Sequence, residues 1–309
     1  MPAPSSGRIR IISLARPSAR NAISRQLLWE LRSHIDAVAA EYDADGEEVP
    51  APERFGGAAG VDKRGPTRAL ILASDVDSCF CAGADLKERA GFTPEEYVFR
   101  LLSGQAERLT WSRTSTFLGK LRDTFTSLSI LPIPTISAVS SLALGGGLEL
   151  ALCTNMRVLA STAQVGLPET RLGIIPGAGG TYRLPALIGL SRARDLILTG
   201  RRVTAAEAYF LGIADRLVEV LPDEGKAEGE ERKKDLMKRA NDECLKQAII
   251  LAGQISEGGP IAVRAALKAV GWAREDVENK MYERVVKSED RDEALKAFRE
   301  KRLPEFKGK

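Results

Sequence analysis

Two glutamates stand in surroundings that are uncommon for a carboxylate. Glu149 lies in the run Leu144-Gly145-Gly146-Gly147-Leu148-Glu149-Leu150-Ala151-Leu152, and Glu169 closes Val165-Gly166-Leu167-Pro168-Glu169. Three glycines between a buried strand and an apolar helix let a ligand approach the backbone closely. Free N–H groups and the positive end of the helix dipole then face it, which suits an oxyanion. The leucines and alanines around Glu149 disfavour its charged form and raise its proton affinity towards the working range. Pro168 fixes the backbone before Glu169 and limits where that carboxylate points. Two carboxylates held on separate rigid elements can divide acid and base roles. For Glu149 the apolar run favours chemistry over a helix-start role; Glu169 alone reads as a helix-start residue, and the pairing with Glu149 favours chemistry.

Two further segments could present backbone to the same place. In Phe80-Cys81-Ala82-Gly83-Ala84-Asp85-Leu86-Lys87, small residues after a strand expose N–H groups that could complete an oxyanion hole. Asp85 there reads as a helix cap, and Lys87 as a phosphate contact or a solvated cation. Ile174-Ile175-Pro176-Gly177-Ala178-Gly179-Gly180-Thr181 lacks both phosphate-binding glycine signatures, so it is read as a turn that delivers backbone near the site around Gly177. The single histidine, His34, falls on an amphipathic helix pattern with a solvent-facing or capping role, which removes Ser-His-Asp hydrolysis and multi-histidine metal sites. Cys79, Cys81, Cys153 and Cys244 match neither a disulfide framework nor a zinc site, and a reduced interior is expected.

The elements that must position these groups alternate strand and helix, so the expected class is α/β. Ile9 to Leu14 is a strand and Asn21 to about Tyr42 a helix; residues 43–67, rich in Gly, Pro and charge, read as a flexible surface insertion. Unbroken apolar runs at Ala69 to Ala73, Thr135 to Val139 and Met156 to Ala160 are of the kind buried on both faces of a sheet. Helices are expected at 94–110, 115–128 and 146–153. From Ser191 onward helices dominate: Ser191 can cap one ending near Gly200, and Thr204 with Glu207 opens one ending near Gly212. A charged insertion (223–234) and three more helices complete the chain.

A chain of 309 residues, 44% hydrophobic and 28% charged, can bury a full core. Its net charge of +3 is spread evenly, so charge implies neither nucleic acid nor membrane, although a phosphate-bearing ligand is compatible. The longest uncharged stretch, Thr124 to Leu148, contains Pro132, Pro134 and three glycines and is not expected to span a membrane. The opening residues MPAPSSGRIRIISL show no apolar signal core and no transit pattern.

Taken in order, Ala82-Gly83-Ala84-Asp85, Ala143-Leu144-Gly145-Gly146-Gly147-Leu148-Glu149, Pro168-Glu169 and Pro176-Gly177-Ala178-Gly179-Gly180 resemble the crotonase (enoyl-CoA hydratase/isomerase) superfamily. The resemblance runs from Arg16-Pro17 and Arg20-Asn21-Ala22 to the tail Ala297-Phe298-Arg299-Glu300-Lys301-Arg302, leaving the two insertions outside. It implies a crotonase (ClpP-like) spiral of β-β-α units over residues 1–220, with residues 221–309 as a helical oligomerisation region forming a homotrimer or homohexamer. The motifs at 84–90, 147–152 and 169–176 most resemble methylglutaconyl-CoA hydratases of leucine breakdown. That implies the mitochondrial matrix, with cytoplasm or peroxisome as alternatives.

Carried over by residue, the resemblance sets the thioester oxygen against the N–H groups of Ala84 and Gly146, with a water held between Glu149 and Glu169. Water adds to the β-carbon, the two N–H groups stabilise the enolate-like charge, and a glutamate supplies the α-proton. No cofactor or metal is implied; CoA is part of the substrate. In the family, Arg16, Ala19, Ala82, Asp85, Leu86 and Lys87 line the CoA path, and Phe298 and Lys301 can reach CoA from a neighbouring subunit. Arg89 or Arg171 is the candidate partner for a distal carboxylate of 3-methylglutaconyl-CoA. A short-chain enoyl-CoA hydratase is the alternative, followed by an isomerase or a non-catalytic RNA-binding member. Trp29 and Glu30 interrupt the basic stripe Arg20, Arg25 and Arg32, so nucleic-acid binding is not expected. Two departures from the family pattern are Ser140-Ser141 before the glycine loop and Thr154-Asn155 where Cys-Asp is common.

Overall fold

The computed structural model describes residues 1–4, 6–49, 65–85, 113–223 and 229–309. Its centre is strand β2 (Thr67–Ser74), buried at all eight positions. It lies between β1 (Arg8–Leu14) and β4 (Thr135–Val139) in a parallel sheet of order β1-β2-β4-β6-β9, where β6 is Met156–Ala160 and β9 is Arg216–Val218. Period-two alternation sends Ala69, Ile71 and Ala73 to one face and Leu70 and Leu72 to the other. The first face packs under Ala240, Cys244, Ala248, Leu251 and Ala252 of a long helix, Glu230–Ser256, and the second under helices Arg25–Ala39 and Arg113–Ser129. A strand covered on both sides has no polar face to write, which explains its continuous apolar sequence.

A second sheet has the order β3-β5-β7-β8, with β3 (Cys79–Cys81), β5 (Leu142–Leu144) and β7 (Gln164–Gly166) parallel and β8 (Arg202–Thr204) antiparallel to β7. In chain order, β2 then β3, β4 then β5, and β6 then β7 each contribute one strand to either sheet before a helix returns. The repeating β-β-α turn is therefore a spiral, and it stacks the segments that follow β3, β5 and β7. Those are the segments carrying Ala84, Gly146 and Glu169.

Several expectations need correction. The first helix begins at Arg25, not Asn21, because Ser24 caps it by accepting the Leu27 N–H (3.1 Å). Asn21 is instead fully buried with φ +54°. Ser191 is no cap: its helix, Leu190–Thr199, starts from Gly189 without a side-chain bond. Thr204 does accept from Glu207 N–H (3.2 Å) and opens Ala205–Leu211.

Among the described residues, four helices, not three, follow residue 223: Glu230–Ser256, Pro260–Trp272, Glu275–Val286 and Glu289–Glu300. The first shares its core with the five-stranded sheet, so packing is continuous across residue 220. Part of the expected insertion is fixed. Glu48 bridges the buried Arg68 and Arg264, and Glu47 meets Arg284 and Arg264, tying 43–49 to the C-terminal helices. The expected helix at 94–110 lies outside the described residues. Thr124 to Leu148 becomes a helix end, two strands and the start of the helix Gly146–Ala151, and among the described residues no helix is long and apolar enough to cross a membrane.

Candidate active site

The two N–H groups expected to form the oxyanion hole are set by backbone approach. Gly147 has its Cα so near β3 that an added Cβ would sit 2.1 Å from the Cys81 carbonyl oxygen. Only glycine permits that contact, and it draws the loop after β3 onto the loop after β5. A Cβ on Gly146 would lie 3.5 Å from the Ala84 nitrogen, so the two peptide units are neighbours. Ala84 forms a parallel bridge with Ile23 through the Gly83 carbonyl (2.8 Å) and the Asp85 N–H (3.2 Å). That pattern turns the Ala84 N–H itself to the other side. Gly146 is the first residue of helix Gly146–Ala151, where an N–H has no intrahelical acceptor. The structure thus sets two backbone donors side by side at a helix start.

One carboxylate faces this glycine segment, and the other rises from the helix that it opens. Glu149, 2% exposed, sits in the first turn of the helix, and its Oε1 accepts the Ala178 and Gly180 N–H groups, each at 2.8 Å. Burial pushes its proton affinity above the ordinary carboxylate range; the Gly180 and Ala178 N–H groups and the nearby Arg183 and Arg122 pull in the opposite direction. With one oxygen fixed by two donors, Oε2 is the oxygen left to address a ligand. Glu169, 8% exposed, begins a short 3-10 turn, Glu169–Leu172, entered from Pro168. Its Oε1 lies 2.9 Å from where a Cβ on Gly145 would be. Gly145 adopts φ +53° and ψ −126°, open to glycine alone, so the turn that admits Glu169 depends on the missing side chain.

The turn around Gly177 acts through its neighbours. Ala178 and Gly180 donate to Glu149, whereas Gly177 contributes its carbonyl to Arg122 Nε (2.7 Å). Sequence reasoning missed Ala178, Gly180, Arg122 and Arg183. The glycine-rich run marked a turn, but which of its N–H groups would face Glu149 depends on the packing of helix Gly180–Ile188.

Among the residues assigned to the CoA path, the structure gathers Arg16, Ala19, Ala82 and Asp85. Arg16 pairs with Asp85 (2.8 Å), and Ala82 N–H donates to the Arg20 carbonyl (3.1 Å). Asn21 locks the turn, with its amide donating to Ser74 Oγ (2.8 Å) and the Phe80 carbonyl (2.9 Å). Leu86, Lys87 and Arg89 lie outside the described residues. Phe298 is 83% exposed and Lys301 ends the last helix. That helix is anchored by Asp290 to Lys307 and Gly308, and Gly308 lies against Glu48 and Arg68 at the start of β2.

Arg171 donates Nε to the Thr199 carbonyl (2.8 Å) and lies along Gly200, just past the end of helix Leu190–Thr199. The two departures from the family pattern have structural uses: Asn155 Oδ1 accepts from Thr135 N–H and Oγ (2.8 Å each), and Ser140 Oγ donates to Asn241 (2.9 Å).

Paired buried carboxylates beside a two-donor oxyanion site, on a β-β-α spiral, define a class that works on acyl groups able to carry negative charge at a carbonyl oxygen. Residues 61–309 match the family model described as enoyl-CoA hydratase/isomerase, and the chain belongs to that family. It is 60% identical over 315 residues to "Methylglutaconyl-CoA hydratase 1, mitochondrial" of Pyricularia oryzae, covering 100% of this chain and 85% of that protein. It is 33% identical to "Methylglutaconyl-CoA hydratase, mitochondrial" of Homo sapiens, covering 97% and 74%. The crystal structure of an enoyl-CoA hydratase from Bacillus anthracis superposes with a TM-score of 0.74 at 35% identity, covering 97% and 96%.

Proposed function

We propose that this enzyme is a hydro-lyase that adds water to the 2,3-double bond of 3-methylglutaconyl-CoA. One observation carries the chemistry: two buried carboxylates flank the glycine segment whose first helical N–H stands beside that of Ala84, Glu169 lying against Gly145 and Glu149 standing in the helix that Gly146 opens, its Oε1 held by Ala178 and Gly180. The thioester oxygen accepts from Ala84 and Gly146, which draws electron density from the β-carbon. Glu149 Oε2 takes a proton from water as the water oxygen bonds to that carbon. The two donors hold the resulting enolate, and Glu169 gives its proton to the α-carbon, closing the proton balance after exchange between the carboxyls. Burial raises the proton affinity of Glu149, which strengthens it as a base, while the two N–H groups on Oε1 offset part of that rise and leave Oε2 as the oxygen that accepts the proton.

No group beyond the substrate's own CoA is required by this scheme. The distal carboxylate calls for a cation, and Arg89 is the remaining sequence candidate because Arg171 is held by Thr199. The relatives named as mitochondrial support the mitochondrial matrix, and the family's habit supports a homotrimer or a dimer of trimers.

Side-by-side kcat/KM values for a panel of 2-enoyl-CoA thioesters, followed by loss of enoyl absorbance, test the reading. The expected result is a preference for 3-methylglutaconyl-CoA over crotonyl-CoA that R89M abolishes and R171M leaves intact. Equal values for the two substrates in the unaltered enzyme would overturn the substrate assignment, and full turnover by both E149Q and E169Q would overturn the mechanism.

A further inference from the structure

The base proposed above is held by a turn that is itself gripped from outside. A single peptide unit joins Gly177 to Ala178. Its carbonyl accepts from Arg122 Nε at 2.7 Å, and its N–H donates to Glu149 Oε1 at 2.8 Å. The next carbonyl, that of Ala178, accepts from Arg183 Nη1 at 2.9 Å. Two guanidinium groups from different helices, Arg113–Ser129 and Gly180–Ile188, thus hold consecutive peptide planes of one turn. Peptide planes are rigid, so fixing a carbonyl fixes the direction of the N–H across the same bond. A charged donor on the carbonyl also polarises the unit and strengthens what its N–H gives.

We propose that Arg122 and Arg183 are positioning residues for Glu149: Arg122 aims the Ala178 N–H at Oε1 through the Gly177–Ala178 unit, and Arg183 holds the Ala178–Gly179 unit that links it to the second donor, Gly180. The inference rests on the proposed role of Glu149 as the base and extends it to residues that touch neither substrate nor carboxylate. Other groups meet Glu149 as well. Cys153 Sγ, one turn on, donates to its main-chain carbonyl (3.1 Å), Glu169 stands across Gly145, and Tyr182 lies under the Arg183 guanidinium (4.8 Å) without reaching the carboxylate. Among the described residues, the two arginines are the groups that bring positive charge near Glu149 and also bond the turn.

Arg122 is solvent-exposed on its helix, so replacing it leaves the core intact, and it is the variant of choice. R122M should lower kcat for enoyl-CoA hydration about three- to tenfold with little change in KM, the size expected for one charge-assisted bond acting at one remove. Loss of the cation and of the polarised N–H should also make Glu149 easier to protonate. The carboxyl band that E149Q removes, titrated by difference infrared spectroscopy, should therefore have a higher midpoint in R122M than in the unaltered enzyme. R122K, which keeps charge and a donor, should restore both readouts, and R183M should displace the midpoint in the same direction as R122M. An unmoved Glu149 midpoint in R122M, or a loss of melting temperature and kcat without that displacement, means the arginine is only a tether and overturns the proposal. If the unaltered enzyme hydrates no enoyl-CoA, the functional reading fails, while the infrared midpoint still decides the positioning role.

Discussion

Replacing Glu149 by Gln should cripple the enzyme and stabilise it in one step. The amide is nearly the same shape, and its oxygen can still accept from Ala178 and Gly180 at the 2.8 Å the carboxylate now keeps. What is lost is the ionised oxygen that takes a proton from water, so kcat should fall by about 10²–10⁴, the usual span for removing a general base. Stability moves the other way because burial raises the proton affinity of Glu149 in the folded chain. A carboxyl whose folded value lies above its unfolded one contributes most to stability below the unfolded value, near pH ~4.3, and loses that contribution as pH climbs through the folded value. The neutral amide has no such loss. Each unit of elevation is worth about 1.4 kcal/mol. For a chain longer than 250 residues, 1 kcal/mol moves the melting temperature by about 2 °C.

E149Q should therefore melt above the unaltered protein at pH 8, and the gap should close as pH falls towards 4. Parallel melting curves across that range, with hydration rates at neutral pH, check both parts. A melting gap independent of pH, or kcat above a tenth of the unaltered value, would falsify the placement of a strained, ionisable carboxylate at this position.

Two other perturbations probe the scaffold. G145A puts a methyl 2.9 Å from Glu169 Oε1 on a backbone with φ +53°, so it should displace that carboxylate and cost roughly 1–3 kcal/mol in stability, read by urea titration. E48Q leaves Arg68 and Arg264, each 6% exposed, without the carboxylate they share, and should lower the unfolding free energy by about 3–5 kcal/mol; a loss below ~1 kcal/mol would show that Glu47 compensates.

The sequence alone pointed to the candidate chemistry-bearing residues and determined the class of fold. Glu149 and Glu169 declared themselves because a carboxylate within a run of leucines, or pinned by a preceding proline, is a local anomaly that needs no coordinates. The strands at Ala69, Thr135 and Met156 were legible because burial on both faces writes an unbroken apolar run. The cap at Thr204 was legible because capping is local chemistry.

Tertiary structure decided what depends on approach between distant segments. That Gly147 meets the Cys81 carbonyl and so brings Ala84 beside Gly146 is a contact of backbones, and backbones carry no sequence signature beyond a glycine. That Arg171 serves a helix end while Arg122 serves the turn beside Glu149 could not be read from spacing, since Arg171 lies two residues from Glu169 and Arg122 lies 27 residues from Glu149. Likewise, Glu47 and Glu48, which sit in a stretch composed like a flexible insertion, are fixed by arginines more than two hundred residues later. Composition reports the cost of ordering a segment; only the folded chain supplies the partner that offsets it.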